Sequence, residues 1–243
     1  MSFPKSLIFL ATLCLFCGCQ ESNKSKKTIP TKTPPKTDTV NVAEKVVIPD
    51  GGKEDFDFSK IKKVTQEELK PFLREYGKKN PETKIRIITD FGNITVRLFT
   101  DTPLHRANFI RLVKLGYFDT TFFHRVDEGF VIQGGNSDKW VTQKVRFAIG
   151  DFLIPSEATP KHPHVRGAFS MAKYSEQNIS DASSPFEFFI VQSKTGAHHL
   201  DGEHTVLGTV IDGMDVVDAI NKVETGDNEW PVKNVYMDIE VVE

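Results

Sequence analysis

Cysteine is confined to the first nineteen of 243 residues, at Cys14, Cys17 and Cys19. Residues 20–243 can therefore form neither an internal disulfide nor a cysteine-based zinc site. Tryptophan occurs twice and tyrosine four times. Charge of one sign is not in excess, since the formal net charge is −2. No overall basic field marks the chain for nucleic acid, and none is expected as a partner. Apolar runs are short: Leu7–Phe16 falls below the roughly 20 residues that a membrane span needs. No heptad seam is visible, so the expected state is a monomer. HExxH spacing is also missing. His162, His164, His198, His199 and His204 are read as loop histidines, and neither a metal nor another cofactor is expected.

What is present begins with an address. Lys5 precedes the apolar run Leu7–Phe16, which has the length of a signal-peptide core. The run leads into Phe16-Cys17-Gly18-Cys19, which resembles a bacterial lipobox. Only Cys19 follows a small residue, so residues 1–19 read as a lipoprotein signal ending at Cys19, the expected lipidation site. The expected placement is a bacterial cell envelope, with the chain tethered by lipid to a membrane and its folded part outside the cytoplasm; ordinary secretion with cleavage nearby is the alternative. Residues 20–55 are rich in Lys, Thr and Pro and poor in large apolar residues, the composition of a disordered tether. Residues 56–81 read as a short helical lead-in. Thr65 and Glu68 have the spacing of a capping box, and Pro71 is expected to disturb a helix that continues.

From residue 82 onward the pattern is mostly strand. Lys84–Thr89 and Ile94–Phe99 flank Asp90-Phe91-Gly92-Asn93 and read as a hairpin. Thr102-Pro103 opens a helix, with Thr102 as its cap, and Gly116 ends it. Val145–Ile149, Ala168–Ala172, Phe186–Val191, Thr205–Ile211 and Val235–Val242 are further strand candidates. Gly213 opens a second helix with Val216, Val217, Ile220 and Val223 on one face. The expected fold is mainly β: a closed, eight-stranded antiparallel barrel capped by two α-helices. The 19 phenylalanines point to a phenylalanine-rich core or pocket.

Residues 120–137 read TTFFHRVDEGFVIQGGNS, with Arg125 inside an apolar run. Phe123-His124-Arg125-Val126, Gly129-Phe130 and Gln133-Gly134-Gly135 resemble the signature of the cyclophilins, peptidyl-prolyl cis-trans isomerases built on an eight-stranded barrel. Gly167-Ala168-Phe169-Ser170-Met171-Ala172, Phe188-Phe189-Ile190 and Leu200-Asp201-Gly202-Glu203-His204 follow in the family's order. The resemblance spans residues 82–243, and Ile154-Pro155-Ser156-Glu157 with His164-Val165-Arg166-Gly167 looks like the bacterial branch.

The resemblance implies an isomerase acting on proline-containing polypeptides, with Arg125 as its catalytic residue. Phe130, Phe189 and Leu200 are then the pocket for the proline ring, with His204 at its edge. Gln133 contacts the substrate backbone, and Ala172 lines the groove for the residue before proline. Several positions depart from the family pattern. Val131 replaces a methionine and gives a smaller wall. Lys173 replaces an asparagine, Glu187 a glutamine, and His199 the tryptophan that supports cyclosporin in the family. The loop Tyr174–Pro185 is longer than usual. Lys173 and Glu187 are expected to approach each other as an ion pair across the groove. His124, next to Arg125, is expected on the opposite strand face as a packed residue. A module that binds proline without catalysis is the competing function.

Overall fold

The computed structural model describes residues 52–174 and 180–242. The signal segment, Cys19, most of the tether and part of the 174–185 loop lie outside the described residues. Residues 52–55, read from the sequence as the end of the tether, lie against the folded part. The Lys53 amide donates to the Asp119 carbonyl (2.9 Å), and its ammonium pairs with the Asp119 carboxylate.

The lead-in is more than one short helix. A 3-10 turn at Phe58–Lys60 precedes α1, Leu69–Lys79. The capping box forms as reciprocal contacts: the Glu68 amide to Thr65 Oγ1 (3.4 Å) and the Thr65 amide to Glu68 Oε2 (3.5 Å). Pro71 does not interrupt α1, contrary to expectation. It lies in the first turn, where a missing N–H costs nothing because those donors have no intrahelical partner. Leu69 and Leu73 are fully buried in the core.

The nine described strands are β1 Lys84–Thr89, β2 Gly92–Leu98, β3 Phe122–Asp127, β4 Val131–Asn136, β5 Ala168–Met171, β6 Phe188–Val191, β7 Val206–Asp212, β8 Val235–Tyr236 and β9 Asp238–Val241. They form one antiparallel sheet in the order β8-β3-β4-β6-β5-β7-β2-β1-β9. Eight strands were expected. The ninth arises because the run Val235–Val242 breaks at buried Met237, so that β8 pairs with β3 and β9 with β1. The two ends of the sheet are consecutive pieces of chain, and the barrel is nearly closed.

Helices also outnumber the expected two. Besides α1, the structure has α2 Pro103–Leu115, α3 Trp140–Ile149 and α4 Met214–Ile220. α3 corrects the expected strand at Val145–Ile149. Its buried positions Thr142, Val145 and Ile149 follow a helical period, which a window limited to Val145–Ile149 conceals. Thr102 holds the N-cap position of α2, but its hydroxyl makes no capping bond. The Glu157 carboxylate caps instead, accepting from the Leu104 amide (3.1 Å) and the His105 amide (3.0 Å). An anion at a helix N-terminus satisfies its free donors.

Phenylalanine fills the barrel. Phe109 stacks on Phe118 (ring centroids 4.7 Å apart) and meets Phe169 and Phe188 edge-on, and all four are fully buried. Edge-to-face rings pack well because the ring face is negative and the edge positive. A smaller apolar cluster stands apart from this core. It comprises Val131, Ala168, Ala172, Phe189, Val191, Ala197 and Val206, with Phe99, Phe130 and Leu200 packed on it.

Candidate active site

Strand register builds the site. Arg125 faces Gln133 across β3 and β4, and Gln133 faces Phe189 across β4 and β6. The three side chains form one row over three neighbouring strands. Gly135 allows β4 to continue past them. Its φ is +92°, and a Cβ there would sit 2.2 Å from the Phe186 carbonyl oxygen, so only glycine fits.

The row borders a cleft of about 150 Å³ lined by Arg125, Phe130, Val131, Gln133, Ala172, Lys173, Phe189, Leu200 and His204. Nine of the sequence-predicted residues thus meet around one cavity. Its floor is the smaller apolar cluster. Wider depressions exist, including one of about 650 Å³ among the loop residues Asp90, Asp227, Lys233 and Asn234. That one is lined largely by exposed loop side chains and contains none of the motif residues.

Glu187 and His199 stand outside the cleft wall. His199 is exposed and stacks on Phe130 (5.4 Å, 26° between planes), covering one face of the pocket ring. Lys173 and Glu187 do not pair, contrary to expectation. Lys173 Nζ bonds Asp181 (2.8 Å). The Glu187 side chain, 12% exposed, meets Arg146 of α3 (3.0 Å) and His124 Nε2 (3.5 Å). Reading Val145–Ile149 as a strand had hidden Arg146 as the partner.

His124 is packed, as expected, but not on the opposite strand face. A bulge between Phe123 and Arg125 breaks the strict alternation of β3. His124 Nε2 therefore lies 3.4 Å from Gln133 Nε2, on the side of the Gln133 amide. That amide nitrogen also donates to Glu187 Oε2 (3.2 Å). Its carbonyl oxygen is left to accept from an incoming N–H.

Arg125 is held at two points. Its Nε donates to Glu229 Oε2 (2.5 Å), and one Nη donates to Asp127 Oδ2 (2.8 Å). The guanidinium lies over the Phe130 ring, 5.9 Å from its centroid. Sequence reasoning did not identify Glu229. It sits 104 residues from Arg125 in a turn where it and Asn228 both adopt positive φ, 62° and 59°. Burial, followed by the nearby Glu229 charge, raises the Asp127 pKa above its ordinary value.

A second unforeseen support lies behind the apolar wall. His164 is fully buried, stacks on Phe189 (5.9 Å, 12°), and contacts Asp201 Oδ1 (2.8 Å) and Ser170 Oγ (3.1 Å). Both His164 and Asp201 lie within the motifs quoted above, which was the one available signal. His204 meets Phe189 edge-on, and its Nδ1 donates to the Met171 carbonyl (3.0 Å).

These groups set an acid limit on stability. Burial lowers the pKa of His164 and of His204 below 6.5. Burial pulls Glu187 upward, but the hydrogen bond from His124 and the Arg146 charge outweigh it and hold the group below 4.5. All three folded-state values are depressed. Their stabilisation is complete above the unfolded values and is lost as pH falls through the folded ones. Thermal melts by circular dichroism are expected to show a flat Tm above pH 6.5 and a decline below it, steepening below pH 4.5. A Tm that rises on acidification would contradict these assignments.

Fold and cleft define a β-barrel protein with a ring-sized apolar pocket beside a tethered guanidinium. Residues 84–241 match the family model described as cyclophilin type peptidyl-prolyl cis-trans isomerase/CLD. The chain belongs to the cyclophilin-type peptidyl-prolyl cis-trans isomerase family. It is 34% identical over 153 residues to peptidyl-prolyl cis-trans isomerase CYP18-1 of Arabidopsis thaliana, covering 62% of this chain and 90% of the relative. Identity to peptidyl-prolyl cis-trans isomerase-like 2 of Rhizopus delemar is 37% over 163 residues, 66% of this chain but 29% of that longer protein. A crystal structure of a Cryptosporidium parvum cyclophilin-type isomerase, determined in the presence of the dipeptide Ala-Pro, superposes with a TM-score of 0.56 at 27% identity. That match covers 66% of this chain and 99% of the other.

Proposed function

We propose that this domain accelerates rotation about X–Pro bonds in polypeptides outside the cytoplasm, with Arg125 as the catalytic residue. The observation that carries this reading is a doubly tethered guanidinium beside an apolar cleft the size of one ring.

Rotation about an amide faces a barrier of about 18–20 kcal/mol because the bond is conjugated. No bond breaks, so the catalyst needs only to favour the twisted amide over both planar forms. In the twisted form the proline nitrogen becomes pyramidal and regains a lone pair. Arg125, always charged, donates a hydrogen bond to it. Phe130, Val131, Phe189 and Leu200 grip the ring while the preceding carbonyl turns. The oriented Gln133 oxygen accepts from the peptide backbone, and Ala172 makes room for the residue before proline. Lowering the barrier by about 7 kcal/mol gives about 10⁵-fold acceleration. A preorganised charged donor in a partly dry cleft, together with orientation, supplies energies of this order.

The lipobox-like Cys19 supports a lipid-anchored, envelope-facing placement for a monomeric chain, with exported proteins as clients. An isomerisation assay on a panel of X-Pro peptides tests the activity, with rates well above the uncatalysed ones expected. Mass spectrometry of the mature N-terminus tests the anchor, and a lipid-bearing Cys19 is the expected result.

Glu229 is read here as a positioning residue that fixes the plane of the Arg125 fork. Glu229→Ala is expected to lower kcat/KM by about tenfold, since small misplacement of a catalytic group is costly. Its surface position leaves Tm nearly unchanged. Activity equal to wild type would show that Arg125 needs no such tether.

A further inference from the structure

We propose that the outer face of α3 docks on an anionic membrane surface, through the exposed aromatic rings of Trp140 and Phe147 and the lysines beside them. This goes beyond the isomerase reading and rests neither on it nor on a lipid at Cys19.

α3 buries Thr142, Val145 and Ile149 against the barrel. Its opposite stripe, Trp140, Lys144 and Phe147, follows i, i+4, i+7 spacing and faces solvent. Trp140 is 72% exposed and Phe147 76%. Single exposed apolar residues are ordinary, but two such rings on one helix face, with half-exposed Phe58 bordering the same depression as Trp140, form a patch. Cations accompany both rings. Lys63 Nζ lies 4.2 Å from the Phe147 ring centroid, and Lys144 Nζ lies 5.8 Å from the Trp140 ring centroid. Lys139 borders the same depression as Trp140 and Lys144.

Aromatic rings rimmed by lysines match the interfacial zone of a bilayer. Tryptophan settles at headgroup depth, and lysine reaches anionic phosphates while its stem stays apolar. A helix of ten residues is far too short to span the hydrocarbon core, so it lies on the surface. Charge selects the partner. Glu54 borders the depression, and the nearby Asp57 already pairs with Lys60 (3.3 Å). The Gly52 carbonyl also stands beside this face, 3.5 Å from Lys139 Nζ.

The test uses the full chain carrying Trp230→Phe, which leaves Trp140 as the sole tryptophan. Vesicles of phosphatidylcholine with or without phosphatidylglycerol are added, and some carry brominated acyl chains. The expected result is a blue shift and bromine quenching of Trp140 with anionic vesicles, both weakened by salt. Lys139→Glu with Lys144→Glu is expected to lower the anionic-vesicle partition read from Trp140 by at least about tenfold, as each lysine near such a surface counts for about fivefold. Three outcomes overturn the proposal: Trp140 emission indifferent to anionic vesicles that sediment with the protein, an equal response to neutral vesicles, or a shift that tracks protein concentration without lipid. If Trp230→Phe does not fold, the difference signal between the wild-type chain and Trp140→Phe gives the same reading.

Discussion

Arg125→Ala is expected to lower kcat/KM for an X-Pro peptide by about 10²–10³-fold, the usual cost of removing a preorganised charge-stabilising donor. The fold should survive. Arg125 is about one third exposed, and its side-chain partners Asp127 and Glu229 are themselves partly open to solvent. Water can take over their hydrogen bonds, so Tm should move by only a few degrees. Arg125→Lys separates charge from geometry. Lysine keeps the positive charge but lacks the planar fork that holds Nε on Glu229 and Nη on Asp127. It should recover only a small part of the lost rate. A lysine variant close to wild type would mean that charge alone suffices.

Glu187→Ala should produce the largest loss of stability among the site variants. The side chain of its partner Arg146 is only 14% exposed, and it bonds Glu187 (3.0 Å), the Tyr117 hydroxyl (2.8 Å) and the Gly135 carbonyl (2.9 Å). Removing the carboxylate leaves a buried charge without its counterion, which costs about 3–5 kcal/mol. In a domain of this size that corresponds to about 6–20 °C in Tm. Gln133 also loses the acceptor that orients its amide. Activity should therefore fall along with stability, whereas Arg125→Ala affects mainly activity. Replacing Arg146 and Glu187 together by methionine should recover much of the stability, because no uncompensated charge remains. A Tm change of only a degree or two in Glu187→Ala would show that the pair carries little.

The ring-sized cleft was legible in the sequence because its parts sit at fixed offsets within strands. Arg125, Gln133 and Phe189 meet by register, which follows from strand periodicity and the ordered motifs. The hairpin at Asp90-Phe91 and the helix from Pro103 to Leu115 were legible through turn chemistry, a proline at the first helical position and a glycine after the last. Three features were not. α3 was read as a strand, because Val145–Ile149 is short and its helical period shows only when Trp140–Lys144 is included. That reading removed Arg146 from view and left Lys173 as the apparent partner of Glu187. The bulge at His124 is a one-residue irregularity that alternation cannot foresee. The Glu229 clamp joins residues 104 positions apart through a turn with two left-handed residues, for which neither propensity nor pattern gives a signal.

The most direct test is nuclear magnetic resonance exchange spectroscopy on an Ala-Pro-containing peptide with a catalytic amount of the protein. Uncatalysed exchange between cis and trans takes about tens to hundreds of seconds. The account predicts exchange within the mixing time in the presence of wild-type protein, and exchange slowed by about 10²–10³-fold with Arg125→Ala although the peptide still binds the cleft. Peptide binding by the wild-type protein without any acceleration of exchange would contradict it and identify a proline-binding module instead.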